Sequence, residues 1–186
     1  RDTSVTGVQT CALPILIAAV QYAREHGVPY FGICLGMQIA VIEYARHVAG
    51  IPDAHSGEFD ELCRHKVIDF MPGQSEEIDK GGTLRLGAYP CVIRPGTTME
   101  RCYGAREISE RHRHRYEFNN DSRGALTGGG LPLSGLSPDG RLVEPVELSD
   151  RPFYVGVQYH PEFKSRPDKA HPLFAGFIGA AMRFGK

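Results

Sequence analysis

Gly32-Ile33-Cys34-Leu35-Gly36 sets a cysteine between two glycines, each two positions away. A short apolar run precedes it over 30–33, and a long one follows over 35–49. This is the layout of a nucleophile elbow, a strand-to-helix turn too tight for side chains at the flanking positions. A thiol there sits at a helix N-terminus, where the dipole and the free N–H groups favour a thiolate. The N–H of Leu35 then points to where an oxyanion would form. The competing reading is a buried structural cysteine, since free cysteine is among the most buried residue types. Cys11, in Thr10-Cys11-Ala12-Leu13-Pro14, has neither flanking glycines nor a helix behind it and is assigned no role.

A candidate base stands at the end of a second apolar run, Val155-Gly156-Val157-Gln158-Tyr159-His160-Pro161-Glu162. In extended chain, residues two apart point the same way, and Pro161 fixes the backbone between them. Glu162 can therefore accept from one ring nitrogen of His160 while the other faces a thiol, the nucleophile–base–orienter relation of triad hydrolases. A histidine after a strand is also an ordinary structural residue. Its pairing with the elbow favours chemistry, because both follow strands directly and active sites of open α/β sheets lie at the strands' carboxyl ends.

The elements that must hold these groups are legible in outline. Spacing predicts a helix over 18–24, ended by Gly27-Val28-Pro29. A buried strand over 30–33 and a buried helix over 35–49 follow, the helix stopped by Gly50 and Pro52. Further strands are expected at 67–70, 91–93, 111–118, 142–148 and 154–159, with a polar loop at 71–82. Residues 119–121 read as a turn, 128–130 as loop, and 172–184 as a closing amphipathic helix. The expected fold is α/β, an open, doubly wound, mostly parallel sheet.

Bulk properties narrow the class. The 186 residues are 41% hydrophobic with a formal net charge of −1, which suits one globular domain and argues against a polybasic nucleic-acid or membrane binder. No apolar run is long enough to span a bilayer, and residues 1–19 lack the form of a signal peptide, with Pro14 interrupting a short apolar stretch. Five cysteines with no CxxC pair imply free thiols in a reducing, cytoplasmic compartment. Arg111-His112-Arg113-His114-Arg115 could be a nucleic-acid stripe or a metal site. No aromatic interleaving or second basic patch supports the first, and no adjacent Cys or acidic partner the second.

Taken together, these residues resemble the class I glutamine amidotransferases, and within them the CTP synthase branch, from about residue 17 onward. The resemblance rests on Pro29-Tyr30-Phe31-Gly32-Ile33-Cys34-Leu35-Gly36-Met37-Gln38 and Lys80-Gly81-Gly82-Thr83-Leu84-Arg85-Leu86-Gly87. Glu110-Arg111-His112-Arg113-His114-Arg115-Tyr116-Glu117 and Gln158-Tyr159-His160-Pro161-Glu162-Phe163-Lys164-Ser165-Arg166-Pro167 complete it. It implies a Cys34, His160, Glu162 triad that hydrolyses L-glutamine without a metal. It further implies substrate contacts from Leu35, Gly36, Met37 and Gln38, an α-amino contact from Glu58, and a contact to the other end from Arg115. Read without the resemblance, Glu58 is a solvated surface acid.

By the same resemblance the ammonia would go to a synthetase domain of the same polypeptide. That domain would aminate UTP with ATP and Mg²⁺, within a homo-oligomer, a tetramer in the family. Two departures stand out. The family's upstream P-G-G-F-G segment, a source of a second oxyanion donor, and the first strands of the domain are not found. Residues 1–16 do not resemble the family and read as foreign sequence before a partial domain at 17–186. Arg1 is no initiator, so a longer reading frame or processing is expected. Weak activity of these residues alone follows. The rival functions are another class I amidotransferase or a γ-glutamyl hydrolase, and a truncated, inactive scaffold.

Overall fold

The computed structural model describes residues 3–70 and 85–186, with side chains from residue 12 onward. The polar loop expected at 71–82, the Lys80-Gly81-Gly82-Thr83-Leu84 stretch and the side chain of Cys11 lie outside the described residues.

Helix α1 (Thr3–His26) is much longer than the expected 18–24 segment and carries Pro14 in its interior. Proline in a helix removes a backbone donor and costs about 3 kcal/mol. The compensation is an apolar stripe: Leu13, Ile17, Val20 and Ala23 are all buried in one core, while Ile15 and Tyr22 point outward. Burying each large aliphatic side chain contributes roughly 1.5–3 kcal/mol. The helix stops where expected, with Gly27 at φ 65° and the Val28 N–H donating to the Ala23 carbonyl.

Strand β1 (Tyr30–Ile33) and helix α2 (Leu35–His47) follow as read, the helix two residues shorter than predicted. Residues 37–45 are all buried, Glu43 included. An unpaired carboxylate there would be prohibitive. Arg24 of α1 supplies the partner, its Nε and Nη2 reaching the two Glu43 oxygens at 3.0 and 2.8 Å.

Several elements were not anticipated: β2 (Ala54–Ser56), α3 (Thr98–Tyr103), α4 (Arg123–Gly128) and β7 (Gly135–Leu136). Strand β3 is His65–Phe70, and β4 runs Arg85–Ile93 rather than 91–93. Gly87 and Pro90 hid the start of β4, yet it pairs antiparallel with β5 (Glu107–His114) over eight registered positions. The strand expected at 111–118 is two strands. β5 ends at His114, and β6 (Tyr116–Phe118) belongs to another sheet, with Arg115 at the break. β8 is Pro145–Glu147, β9 is Tyr154–Val157, and α5 is Pro172–Ala181.

The three sheets run β1-β9-β8, β2-β3-β6 and β5-β4-β7. β1·β9 and β2·β3 pair parallel, and the other described pairings are antiparallel. The open α/β architecture is therefore present, with a larger antiparallel share than expected because β4 and β5 pair antiparallel over eight positions. Alternation along the first sheet covers both faces. Tyr30 and Tyr154 pack with α1 and α2, while Phe31, Ile33, Val155 and Val157 pack with Met99 of α3 and with Leu173 and Ala180 of α5. Helices on both faces make the winding double. Gly156 lets α2 lie close, since a Cβ there would come within 3.1 Å of Met37 Cα.

Candidate active site

Cys34 joins β1 to α2 at φ 50° and ψ −101°, the one non-glycine residue with positive φ among those described. Such a conformation costs of order 1–3 kcal/mol and persists only where its surroundings impose it. The Cys34 N–H donates to the Val157 carbonyl at 2.7 Å, which extends the β1·β9 ladder by one residue, and its carbonyl accepts from Gln38. The reading of Gly32 as a clearance glycine is met: a Cβ there would stand 2.7 Å from the Gly36 carbonyl carbon and 2.7 Å from the Tyr30 hydroxyl. That hydroxyl donates to the Gly36 carbonyl at 2.8 Å, so the tyrosine cannot simply swing away. Gly32→Ala is accordingly expected to destabilise the protein by about 1–3 kcal/mol, measured as a lowered urea midpoint; an unchanged midpoint would mean the elbow relaxes freely.

The parallel register Ile33↔Val157 puts the ends of β1 and β9 side by side, so Cys34 and the 158–162 segment share one rim of the sheet. After β9 the chain enters a 3₁₀ turn (Pro161–Lys164). His160 Nδ1 lies 2.6 Å from Glu162 Oε1. With a carboxylate accepting, Nδ1 carries the proton and Nε2 is the free base. Nε2 is buried and makes no hydrogen bond among the described residues, to the Cys34 sulfur or otherwise. Strand β5 braces this turn: the His160 N–H donates to the Arg111 carbonyl at 2.8 Å, and Lys164 Nζ donates to the Ser109 carbonyl at 2.6 Å.

Beside the thiol lies a cavity of about 320 Å³ walled by Cys34, Leu35, Gln38, Glu58, Arg113, His114, Arg115 and Tyr116. Four of the six expected substrate-contact positions are brought together here: Leu35, Gln38, Glu58 and Arg115. Gly36 and Met37 are not in this wall. Helical spacing turns them away: Met37 is fully buried against Gly156, and Gly36 is engaged by Tyr30. His160 and Glu162 stand outside the wall as well. Arg115 reaches it from the β5–β6 break, and alternation aligns Arg113 with it while His112 and His114 face inward. Arg113, His114, Tyr116 and Gln158 were not anticipated. The signal for Gln158 was available, because it is the first residue past β9, as Cys34 is past β1.

The electrostatics overturn one expectation. Helix dipole and histidine were to favour a Cys34 thiolate, but burial pushes the thiol pKa up to about 11. Glu58 and Glu162 push the same way, while the Leu35 N–H and the Gln158 amide pull down without prevailing. Desolvation of the charged form is the larger effect. The resting group is therefore a thiol whose proton must be removed by a base. Desolvation also raises the pKa of Glu58, countered by the charge of Arg115.

Behind the cavity is a buried ionic cluster. Arg85 Nη2 meets Glu144 Oε1 at 2.6 Å, and Nη1 stands 3.5 Å from Glu117 Oε1. His112 Nδ1 and His114 Nε2 are 2.9 Å apart and hydrogen-bonded. Burial, then the Arg85 charge, depresses these histidines to about 2 and about 3, so both are neutral. The arginine face, Arg113 and Arg115, thus meets the cavity, while the histidine face joins the buried cluster, with His114 also reaching the cavity wall. Among the described residues no group of three or more His, Cys, Asp or Glu could hold a metal ion, and no helix is long and apolar enough to cross a membrane.

Known proteins are similar to this chain in sequence and in fold. The CTP synthase of Moorella thermoacetica is 60% identical over 167 residues, 90% of this chain and 31% of its own length. That of Carboxydothermus hydrogenoformans is 61% identical over 170 residues, 91% of this chain and 32% of its own. This chain thus spans about a third of the curated relatives it matches. Among solved structures, the glutaminase domain of Trypanosoma brucei CTPS with bound acivicin superposes at a TM-score of 0.86 with 37% identity, covering 92% of this chain and 66% of that one. The family model for class I glutamine amidotransferases aligns with residues 6–180, nearly the whole length, and the chain belongs to that family.

Proposed function

We propose that this chain performs the glutaminase half-reaction of a CTP synthase. The observation that carries the reading is the strained Cys34 elbow opening onto a cavity whose wall bears one carboxylate, Glu58, and two arginines, Arg113 and Arg115, of which Arg115 is the one whose charge acts on Glu58. The Glu58–Arg115 pair suits the zwitterionic end of glutamine, an ammonium for Glu58 and a carboxylate for Arg115. The side-chain amide then lies toward the thiol.

In this mechanism His160 Nε2 takes the Cys34 proton as the sulfur attacks the amide carbon, and Glu162 holds the imidazole and its developing charge. The Leu35 N–H stabilises the oxyanion. His160 returns the proton to the departing ammonia, leaving a γ-glutamyl thioester. It then activates a water that releases glutamate. A thiol held near pKa 11 fits this sequence, since deprotonation then occurs with attack and not at rest. The ammonia serves a synthetase part of the same polypeptide, which aminates UTP using ATP and Mg²⁺ in a homo-oligomer, a tetramer. A reducing, cytoplasmic setting suits the free thiols at Cys34, Cys63, Cys91 and Cys102.

A glutamine-mimicking diazo-ketone tests the reading. Mass spectrometry is expected to find the label on Cys34 alone, with glutamine protecting it. Cys63 and Cys102 also have raised pKa values, chiefly from burial, and lie away from the cavity. Equal labelling of those thiols, or label that glutamine does not displace, would end the assignment.

A further inference from the structure

Gln158 touches the reacting sulfur and belongs to no triad. It is fully buried, and its Nε2 lies 3.6 Å from Cys34 Sγ. Its orientation follows from the groups around it. Gln38 Nε2 has two hydrogens, and both are used: one goes to the Tyr116 carbonyl at 3.0 Å, the other to Gln158 Oε1 at 3.3 Å. A donor cannot face a donor, so the Gln158 oxygen must turn to Gln38 and its NH₂ must turn to the sulfur. The backbone is equally fixed, since the Gln158 N–H donates to the Glu144 carbonyl at 2.9 Å. The sulfur thus receives the Gln158 amide as a donor.

We infer that Gln158 is a further catalytic residue of the glutaminase, a fixed N–H donor that stabilises negative charge on Cys34 Sγ, and that Gln38 sets its orientation. The inference rests on the function proposed above. A hydrogen bond to the charged form of a group favours that form. Here it counters burial and the nearby acids Glu58 and Glu162, which disfavour the thiolate. The donor is useful twice, when sulfur gains charge as His160 takes its proton and when the thioester breaks and charge returns to sulfur. Gln38 also walls the substrate cavity, so substrate contacts there bear on the orientation of Gln158.

The experiment reads the thiol directly and does not depend on turnover. The protein is prepared with [3-¹³C]cysteine, the Cys34 resonance is assigned from Cys34→Ser, and its shift is followed against pH. Gln158→Met keeps length and volume but deletes the donor. It is expected to raise the Cys34 midpoint by about one pH unit, a tenfold fall in thiolate at any pH below the midpoint. Gln38→Met removes the group that orients the amide and is expected to raise it by a smaller amount. Glutamine hydrolysis is expected to fall about tenfold or more in Gln158→Met. If Gln158→Met does not fold, Gln38→Met alone decides. A midpoint unchanged in the folded variants would overturn the inference, since a packing role moves stability and not the titration. Absence of glutaminase activity in the parent protein, with the midpoint still shifting, would refute the proposed function while leaving the Gln158–sulfur bond intact.

Discussion

Cys34→Ala is expected to lower glutamine-dependent ammonia release by about 10⁴–10⁶-fold, down to background, because a nucleophile that acts as a unit with its base has no substitute. In a full-length enzyme, CTP formation from added ammonia should persist at near parental rate if, as proposed above, amination belongs to a different part of the polypeptide. The fold should tolerate the change, because alanine keeps a Cβ at the strained position and loses only the sulfur with its Gln158 contact. Glu162→Gln should cost less than Cys34→Ala, because it weakens the hydrogen bond to His160 Nδ1 without removing the base. The measurement is steady-state ammonia release beside CTP formation with glutamine or ammonium chloride. Loss of both activities in a folded Cys34→Ala protein would contradict the division of labour.

Arg85→Met is expected to destabilise the protein by about 3–5 kcal/mol, the penalty for leaving buried charges without their partner. Arg85, at 4% exposure, is the cation held between the Glu144 and Glu117 carboxylates, with its guanidinium also 4.5 Å from the centre of the Tyr89 ring. A domain of this kind has only about 5–15 kcal/mol in total, so a visible unfolded fraction should appear. The pH dependence has a definite sign. Burial already raises Glu117 to about 7 and raises Glu144, with Arg85 opposing both. Without Arg85 the folded state holds these protons more tightly than the unfolded state does. The added cost is therefore small below the ordinary carboxylate range and grows as pH rises through the folded values. Urea titrations at pH 5 and pH 8 should show the larger deficit at pH 8. Combining Arg85→Met with Glu117→Gln and Glu144→Gln should recover part of the loss. A deficit below about 1 kcal/mol at both pH values would show that the carboxylates find other partners.

The sequence disclosed most where function depends on local spacing. The glycines about Cys34 and the His160-Pro161-Glu162 step constrain the backbone over a few residues, and the structure has the strained elbow and the Nδ1–carboxylate bond there. Glu58 and Arg115 could be named only through family resemblance. They meet at one cavity because β2 and the β5–β6 break converge in space, and no periodicity encodes that. Gly36 and Met37, named with Leu35 and Gln38 through the same resemblance, are not in the cavity wall, since a helix turns a side chain to one side only every third or fourth residue. Helix α1 runs through Pro14, and β4 runs through Gly87 and Pro90 to begin well before the expected 91–93, because tertiary packing and strand pairing outweigh local propensity there. The Cys34 thiol was misjudged for a related reason. Helix dipole and neighbours are visible in a sequence, but the degree of burial that dominates them is not.

The placing of β9 between β1 and β8 has a consequence for how the protein is made. The strand that completes the rim beside Cys34 is synthesised 124 residues after β1 begins, since Tyr30 pairs with Tyr154. At ribosomal speeds of about 5–20 residues per second, that is a delay of roughly 6–25 s. Throughout it β1 lacks this parallel neighbour, and Cys34 lacks both its anchoring carbonyl and its amide donor. The rim beside Cys34 is thus absent from every nascent chain that ends before β9 and is completed only when β9 inserts beside β1.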